Sequence, residues 1–223
     1  MTELKHRVEG IAAPLAIANL DTDQIMPKQF LHGIDKAGLD RGLLWDHRFT
    51  GDGQVKPDFV LNQPAYADTR ILLGGPNFGC GSSREHAVWG LQQFGIQAVI
   101  ASAFGEIFYS NAMNNRLLAV LLAEEEVQAL LDESLQSAMP LRLAVDVERM
   151  TVTSPAHAFA FTMSARHRTM FLQGLDMIGA SLSHRAEIEA FAARHWEAQP
   201  WLKDVAGRTK ARLDAQASTR LAG

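Results

Sequence analysis

"TRILLGGPNFGCGSSREHAVWGLQQFGIQAVIAS", residues 69–102, decides the fold. "TRILLGG" is a short apolar run that stops at glycine, "SREHAVWGLQQFG" spaces Ala87, Leu91 and Phe94 as a helix would, and "QAVIAS" is apolar and β-branched again;. That order predicts strand, helix, strand, with the two strands parallel and the crossover right-handed. A second helix predicted over residues 105–114 and a strand in "LLAVLL", residues 117–122, repeat the pattern, so the core is α/β;.

Toward the N-terminus, residues 8–17 are β-prone and run into "NLDTDQIMP", where Asn and Asp favour a turn and Pro27 discourages helix just before it;. Residues 28–58 hold Gly33, Gly38, Gly42, Gly51 and Gly53 without a sustained period, which predicts an extended loop with short helical pieces. Loops that long in a compact domain are usually functional or mobile. Toward the C-terminus, "AEEEVQALLDES" reads as a helix with acidic residues in its first turn, where the dipole favours them;. Strands follow at 141–147, 150–152 and 158–163, and their succession predicts an antiparallel portion. Helices are expected over 165–175 and 185–196. "KDVAGRTKARLDAQASTRLAG" has scattered charge and few large apolar residues, so we expect one domain over 1–202 and a flexible tail over 203–223;.

The 223 residues suffice for a sizeable core, and 47% hydrophobic against 21% charged residues is ordinary for a soluble globular chain;. A formal charge of −4 argues against a nucleic-acid partner, because affinity for phosphates rests on a basic excess;. No apolar run approaches the roughly 20 residues of a membrane span. The polar opening "MTELKHRVEG" does not resemble a signal peptide, so no membrane is expected and the cytoplasm is the expected compartment;. The single Cys80 rules out an intrachain disulfide and a self-contained iron–sulfur cluster, since each needs several thiols;. No metal site is expected on this chain.

The cluster "NFGCGSSREHAVWG", residues 77–90, invites several readings. A dinucleotide loop would need glycine where Arg84 stands, and a P-loop would need lysine where Cys80 follows Gly79;. The hydrolase elbow fails because Glu85 and Arg84 occupy its second glycine position around Ser83 and Ser82;. Cys80 with His86 could form a thiolate pair, but a lone cysteine is more often a packing residue. Ser82 and Glu85 fit a capping box. Capping does not require Arg84 beside the serine, nor Gly79 and Gly81, which let a backbone turn sharply and approach a ligand. An anion at this helix start is also compatible. Residue chemistry alone leaves the structural and the functional readings open.

"NLDTDQIMPKQF", "NFGCGSSREHAVWGL", "FYSNAMNNRLL" and "GLDMIGASL", in that order, resemble the small-subunit family of 3-isopropylmalate dehydratases, aconitase-like isomerases of leucine biosynthesis. The resemblance covers about residues 5–202. It implies a swivelling β/β/α domain with a mixed sheet and flanking helices. It also implies a separate large subunit that carries a 4Fe–4S cluster, and a small dicarboxylic hydroxy acid as substrate. The chain's own composition agrees with the split. Removing hydroxide from a malate-type carbon calls for a Lewis acid, and one cysteine cannot ligate the cluster that would supply it.

By the same resemblance, Ser82 is the general base, acting as alkoxide with Ser83 beside it. Such an ion needs backbone N–H groups, a helix dipole or a nearby cation to stabilise it. Arg84 would grip a substrate carboxylate through two parallel hydrogen bonds. Asp21, Thr22 and Asp23 would stand at the mouth of the site, and Asn114 and Asn115 would end a helix and shape its wall. Glu85 and His86 read as structural. Leucine-pathway members often carry Arg-Thr-Gly in the loop after Pro27, where this chain has Lys36-Ala37-Gly38. If Lys36 or Arg41 points inward, a methylmalate or dimethylmaleate-type acid becomes the alternative to isopropylmalate. A non-catalytic swivel module is the alternative of another class.

Overall fold

The computed structural model describes residues 6–31 and 36–221. The ends of the expected domain and tail, and residues 32–35 of the long loop, lie outside the described residues. The chain divides into two compact units, Met1–Met177 and Ile178–Gly223.

The first unit is built on one mixed sheet. Its strands are β1 (Arg7–Leu15), β2 (Thr69–Gly74), β3 (Ala98–Ala101), β4 (Leu118–Leu121), β5 (Arg142–Asp146), β6 (Thr151–Thr153) and β7 (Ala158–Ala160). They lie in the order β4-β3-β2-β1-β5-β6-β7. The half from β1 to β4 is parallel, and β1, β5, β6 and β7 pair antiparallel. Burial explains the difference. Ile71, Leu72, Leu73 and all of β3 are inaccessible to solvent, as expected for parallel strands covered on both faces;. The edge strand β7 is nowhere fully buried and can alternate. β1 serves both halves: Arg7–Ile11 pair with β5 and Ile11–Leu15 with β2, and the register shifts between Ile11 and Ala12.

Among the described helices of this unit are α1 (Thr22–Ile25), α2 (Trp45–Arg48), α3 (Glu85–Phe94), α4 (Glu106–Asn114), α5 (Glu124–Gln136) and α6 (Ala165–Gln173). α3 and α4 are the crossovers β2–β3 and β3–β4. α3 closes at Gly95, whose φ of +109° is a conformation glycine tolerates;. The N–H groups of Gly95 and Ile96 there satisfy the carbonyls of Gln92 and Leu91;. At the start of α5 the Glu126 carboxylate accepts from the Ala123 N–H at 2.9 Å. The long loop over 28–58 contains α2 and short 3₁₀ turns at Lys28–Phe30 and Leu39–Gly42, as its composition predicts.

The second unit contains α8 (Arg185–Ala198) and α9 (Val205–Leu221), preceded by α7 (Met177–Leu182), which begins at the unit boundary. Two differences from the sequence reading appear here. The units divide after Met177 rather than after residue 202, and a helix occupies the stretch expected to be a flexible tail. Few large apolar residues argue against packing, not against helix. Ala, Leu, Arg, Lys and Gln dominate α9 and are all strong helix formers;. Lys210 and Asp214 add an ion pair one turn apart, 2.6 Å;.

One close approach places the loop after β2. Gly105, at the start of α4, donates to the Phe78 carbonyl at 2.9 Å. A Cβ on Gly105 would stand 2.5 Å from the Gly79 carbonyl oxygen and 2.9 Å from Cys80 Cα, both backbone atoms that cannot rotate away. Gly105→Ala should therefore cost about 1–3 kcal/mol in urea unfolding, with an unchanged m-value. A loss below about 0.5 kcal/mol, ordinary for a surface change, would contradict this contact.

Candidate functional site

Two loops leave the sheet at the carboxyl ends of adjacent parallel strands: residues 16–21 after β1, leading into α1, and residues 75–84 after β2. Ligands of open α/β sheets bind outside such ends. Here the loops continue to bond each other past the strands. Gly79 N–H donates to Leu20 O at 2.7 Å, Thr22 N–H to Cys80 O at 2.9 Å, and Thr22 Oγ1 to Ser82 O at 2.8 Å. Asn19 and Asn77 both adopt positive φ, and Asn77 Nδ2 donates to Asn19 Oδ1 at 2.9 Å. The second loop needs its glycines. Gly79 has φ +73°, and a Cβ there would lie 2.2 Å from the Phe108 ring; Gly81 has φ +90°.

Each member of the Asp21-Thr22-Asp23 run has a different task. Asp21 caps α1: its Oδ1 accepts from Gln24 N–H at 2.7 Å while Gln24 Oε1 accepts from Asp21 N–H at 3.0 Å. Thr22 is 1% exposed and its hydroxyl is committed to the Ser82 carbonyl, so it acts on the site through backbone. Asp23 Oδ1 stands 2.7 Å from Arg84 Nη1. Neither of these two atoms is reached by solvent, and neither has a hydrogen bond of good angle. The guanidinium is thus anchored by charge while its directional bonds remain unspent, and its side chain keeps 15% exposure.

Ser82 and Ser83 are exposed, and among the described residues neither hydroxyl is engaged in a hydrogen bond. They lie just ahead of α3. The capping box that Ser82 and Glu85 spell does not form: α3 starts at Glu85, with Arg84 extended at its N-cap. Glu85 Oε1 instead accepts from Asn115 Nδ2 at 2.6 Å. The first N–H groups of α3 have no carbonyl one turn back, so they and the dipole favour negative charge beside Ser82 and Ser83. His86 packs edge-on against Trp89, ring centroids 4.8 Å apart, and Cys80 is half-buried with its thiol 3.4 Å from the Asn19 carbonyl.

Lys36 meets α3 rather than the two loops. Its Nζ lies 3.7 Å from the Trp89 ring centroid, a cation–π contact, and its carbonyl accepts from the Gln93 side chain;. Arg41 is exposed on the 3₁₀ turn Leu39–Gly42. Asn114 ends α4 and Asn115 caps it.

The structure thus brings Asp21, Thr22, Asp23, Ser82, Ser83 and Arg84 to one place and holds Lys36 farther along α3. Sequence reasoning gave Asn115 a wall position but missed its hydrogen-bond role. It missed His47 altogether. Burial and then Lys56 hold the His47 imidazole below its ordinary value, with Asp46 and Asp21 acting in the opposite direction. No spacing in the sequence ties His47 to Asp21. Among the described residues, no group of three or more His, Cys, Asp or Glu side chains is placed to hold a metal ion. No described helix is long and apolar enough to cross a membrane.

The family model described as the aconitase C-terminal domain matches residues 2–125. Over 207 residues the chain is 62% identical to 3-isopropylmalate dehydratase small subunit 1 of Chromobacterium violaceum, covering 93% of this chain and 97% of that protein. Over 198 residues it is 48% identical to the 3-isopropylmalate dehydratase small subunit of Phenylobacterium zucineum, 88% and 97% of the two chains. The solved structure of a 3-isopropylmalate dehydratase from Methanocaldococcus jannaschii aligns with 83% of this chain and 99% of its own, with a TM-score of 0.59 and 23% identity. That likeness shows the fold.

Thr22→Val keeps the buried shape and removes the bond to Ser82 O. It should cost about 0.5–1.5 kcal/mol and speed amide exchange at Arg84, whose N–H shares that carbonyl at 2.8 Å. Unchanged exchange at Arg84 would show that the hydroxyl does not hold the loop.

Proposed function

The chain belongs to the 3-isopropylmalate dehydratase small-subunit family of the aconitase superfamily, and on that premise we propose that it supplies the proton-moving and carboxylate-gripping half of an active site completed by a large subunit. The reaction is isomerisation of 2-isopropylmalate to 3-isopropylmalate by dehydration and rehydration, in the cytoplasm. One observation carries the assignment of residues. Thr22 and Asp23 at the start of α1 hold the Ser82 carbonyl and the Arg84 guanidinium outside a helix, with the Ser82 hydroxyl free and the guanidinium's directional bonds unspent.

In this reading the Ser82 alkoxide takes the proton from the carbon next to a carboxylate, hydroxide leaves the neighbouring carbon, and the double bond forms between them. Rehydration with the opposite regiochemistry returns a proton from Ser82. The first-turn amides of α3 and Arg84 offset the negative charge on the serine oxygen. Arg84 also pairs with a substrate carboxylate, and Ser83 lies beside it to donate to the same anion. Asp21, Thr22 and Asp23 serve mainly by fixing the loop and the guanidinium.

The residues of this chain do not suit an iron–sulfur cluster: Cys80 is the sole cysteine, and the described residues offer no cluster of other ligands. We therefore place the 4Fe–4S cluster on the large subunit. The structure gives a methylmalate-type acid no added support, because the Lys36 ammonium is engaged by Trp89.

Ser82→Ala in the complex with the large subunit should lower kcat by about 10²- to 10⁴-fold, the usual contribution of a positioned base, with assembly intact. Near-normal turnover would overturn the base assignment and favour a non-catalytic swivel module. Arg84→Lys keeps the charge but not the paired geometry. A lost charge-assisted hydrogen bond is worth about 1.5–3 kcal/mol, so kcat/KM should fall by about 10- to 150-fold; an unchanged value would remove Arg84 from substrate binding.

A further inference from the structure

The place where α3 begins is at odds with its own sequence. Ser82-Ser83-Arg84-Glu85 spells a capping box, in which the serine oxygen would accept from the Glu85 N–H and the Glu85 carboxylate from the Ser82 N–H;. That box would extend α3 backward by two residues, carry Ser83 and Arg84 into the helix and turn Ser82 into its cap;. Two contacts oppose it. Thr22 Oγ1 donates to the Ser82 carbonyl at 2.8 Å, the group that would accept the first intrahelical bond;. Asn115 Nδ2 donates to Glu85 Oε1 at 2.6 Å and removes the carboxylate from the box.

The Asn115 amide can face only one way. Its Oδ1 accepts from the Trp89 indole N–H at 3.1 Å, a group that can only donate, so its Nδ2 is turned toward Glu85 and the Asn111 carbonyl, 2.9 Å away;. Gln92 Nε2 holds the Asn115 carbonyl at 2.7 Å. An asparagine fixed on three sides is thus aimed at the one carboxylate whose release would rebuild the cap.

We propose that Asn115 is a positioning residue for the reaction: by engaging Glu85 it keeps Ser82 out of the α3 cap and leaves the serine hydroxyl free for the substrate. The inference rests on the reading of Ser82 as the base. With Glu85 released, the serine oxygen would point at a helix amide instead of substrate, and a carboxylate would stand beside the developing alkoxide and disfavour it. Arg84 would turn away from Asp23 as its residue joined the helix.

The test uses the complex with the large subunit and 2-isopropylmalate. Asn115→Asp keeps the shape and the acceptor for Trp89 but sets a second carboxylate against Glu85; Asn115→Ala removes the contact outright. A cap contact shifts a local equilibrium by about 2- to 30-fold, and kcat should fall within that range in both variants. Adding Glu85→Ala to either should restore kcat, because no carboxylate remains to close the box, while the lost stability is not restored. A bracing role alone would leave each double variant as slow as its parent or slower, and that result, or full activity in both single variants, overturns the proposal. Asn115→Asp stands in if Asn115→Ala does not fold. Amide exchange at Glu85 in the free chain reads the same shift without turnover and should slow in Asn115→Asp. Ser82→Ala assayed alongside separates the two levels. If it stays active, the base reading fails and this inference with it. If it is inactive and Glu85→Ala suppresses nothing, only the role of Asn115 is lost.

Discussion

The parallel pairing of β1 and β2 does not stop where the strands stop. It continues as loop-to-loop hydrogen bonds through Leu20, Thr22, Gly79, Cys80 and Ser82, and every candidate site residue on the two loops depends on it. The sheet therefore orients Ser82 and Arg84 directly, through backbone that is itself an extension of a largely buried strand pair. Sites built on such rigid elements hold their groups more closely than sites on free loops. The requirement for glycine follows from the same closeness. Gly79 lies against Phe108 and Gly105 against Gly79, so the loop after β2 is clamped between β1's loop and the start of α4.

In the proposed reading, this geometry also accounts for a division of labour between two chains. A serine freed from helix capping, an arginine anchored by Asp23 and a set of first-turn amides make a surface that favours anions and, in the proposed reading, accepts a proton. They do not make a Lewis acid. A chain with one cysteine can contribute a stabilised base and a carboxylate clamp, and the family it belongs to is that of a small subunit.

Much of the fold was legible in the sequence. The parallel half was readable because β2, β3 and β4 are continuous apolar runs joined by helical periods, and the antiparallel half because short strands follow one another between turns. The helix α9 was missed because scarcity of large apolar residues was weighed above helix propensity, which Ala, Leu, Arg, Lys and Gln supply without any packing. The site was legible as a cluster but not as a mechanism of placement. Ser82 and Glu85 are three residues apart and locally favour a capping box; the group that prevents it, Asn115, is thirty residues away and reaches Glu85 only through tertiary structure. In the same way, Asp21, Thr22 and Asp23 look alike as turn formers, and only their partners separate a helix cap, a backbone clamp and an arginine anchor.

In the proposed function, this chain holds half of an isopropylmalate isomerase site. The most direct measurement combines it anaerobically with the iron–sulfur-loaded large subunit and follows ene-diacid absorbance with 2-isopropylmalate and with methyl-substituted malates offered separately. Turnover of 2-isopropylmalate only when both chains are present is the predicted result. Turnover by either chain alone, or of the methylated acids to the exclusion of isopropylmalate, would contradict it.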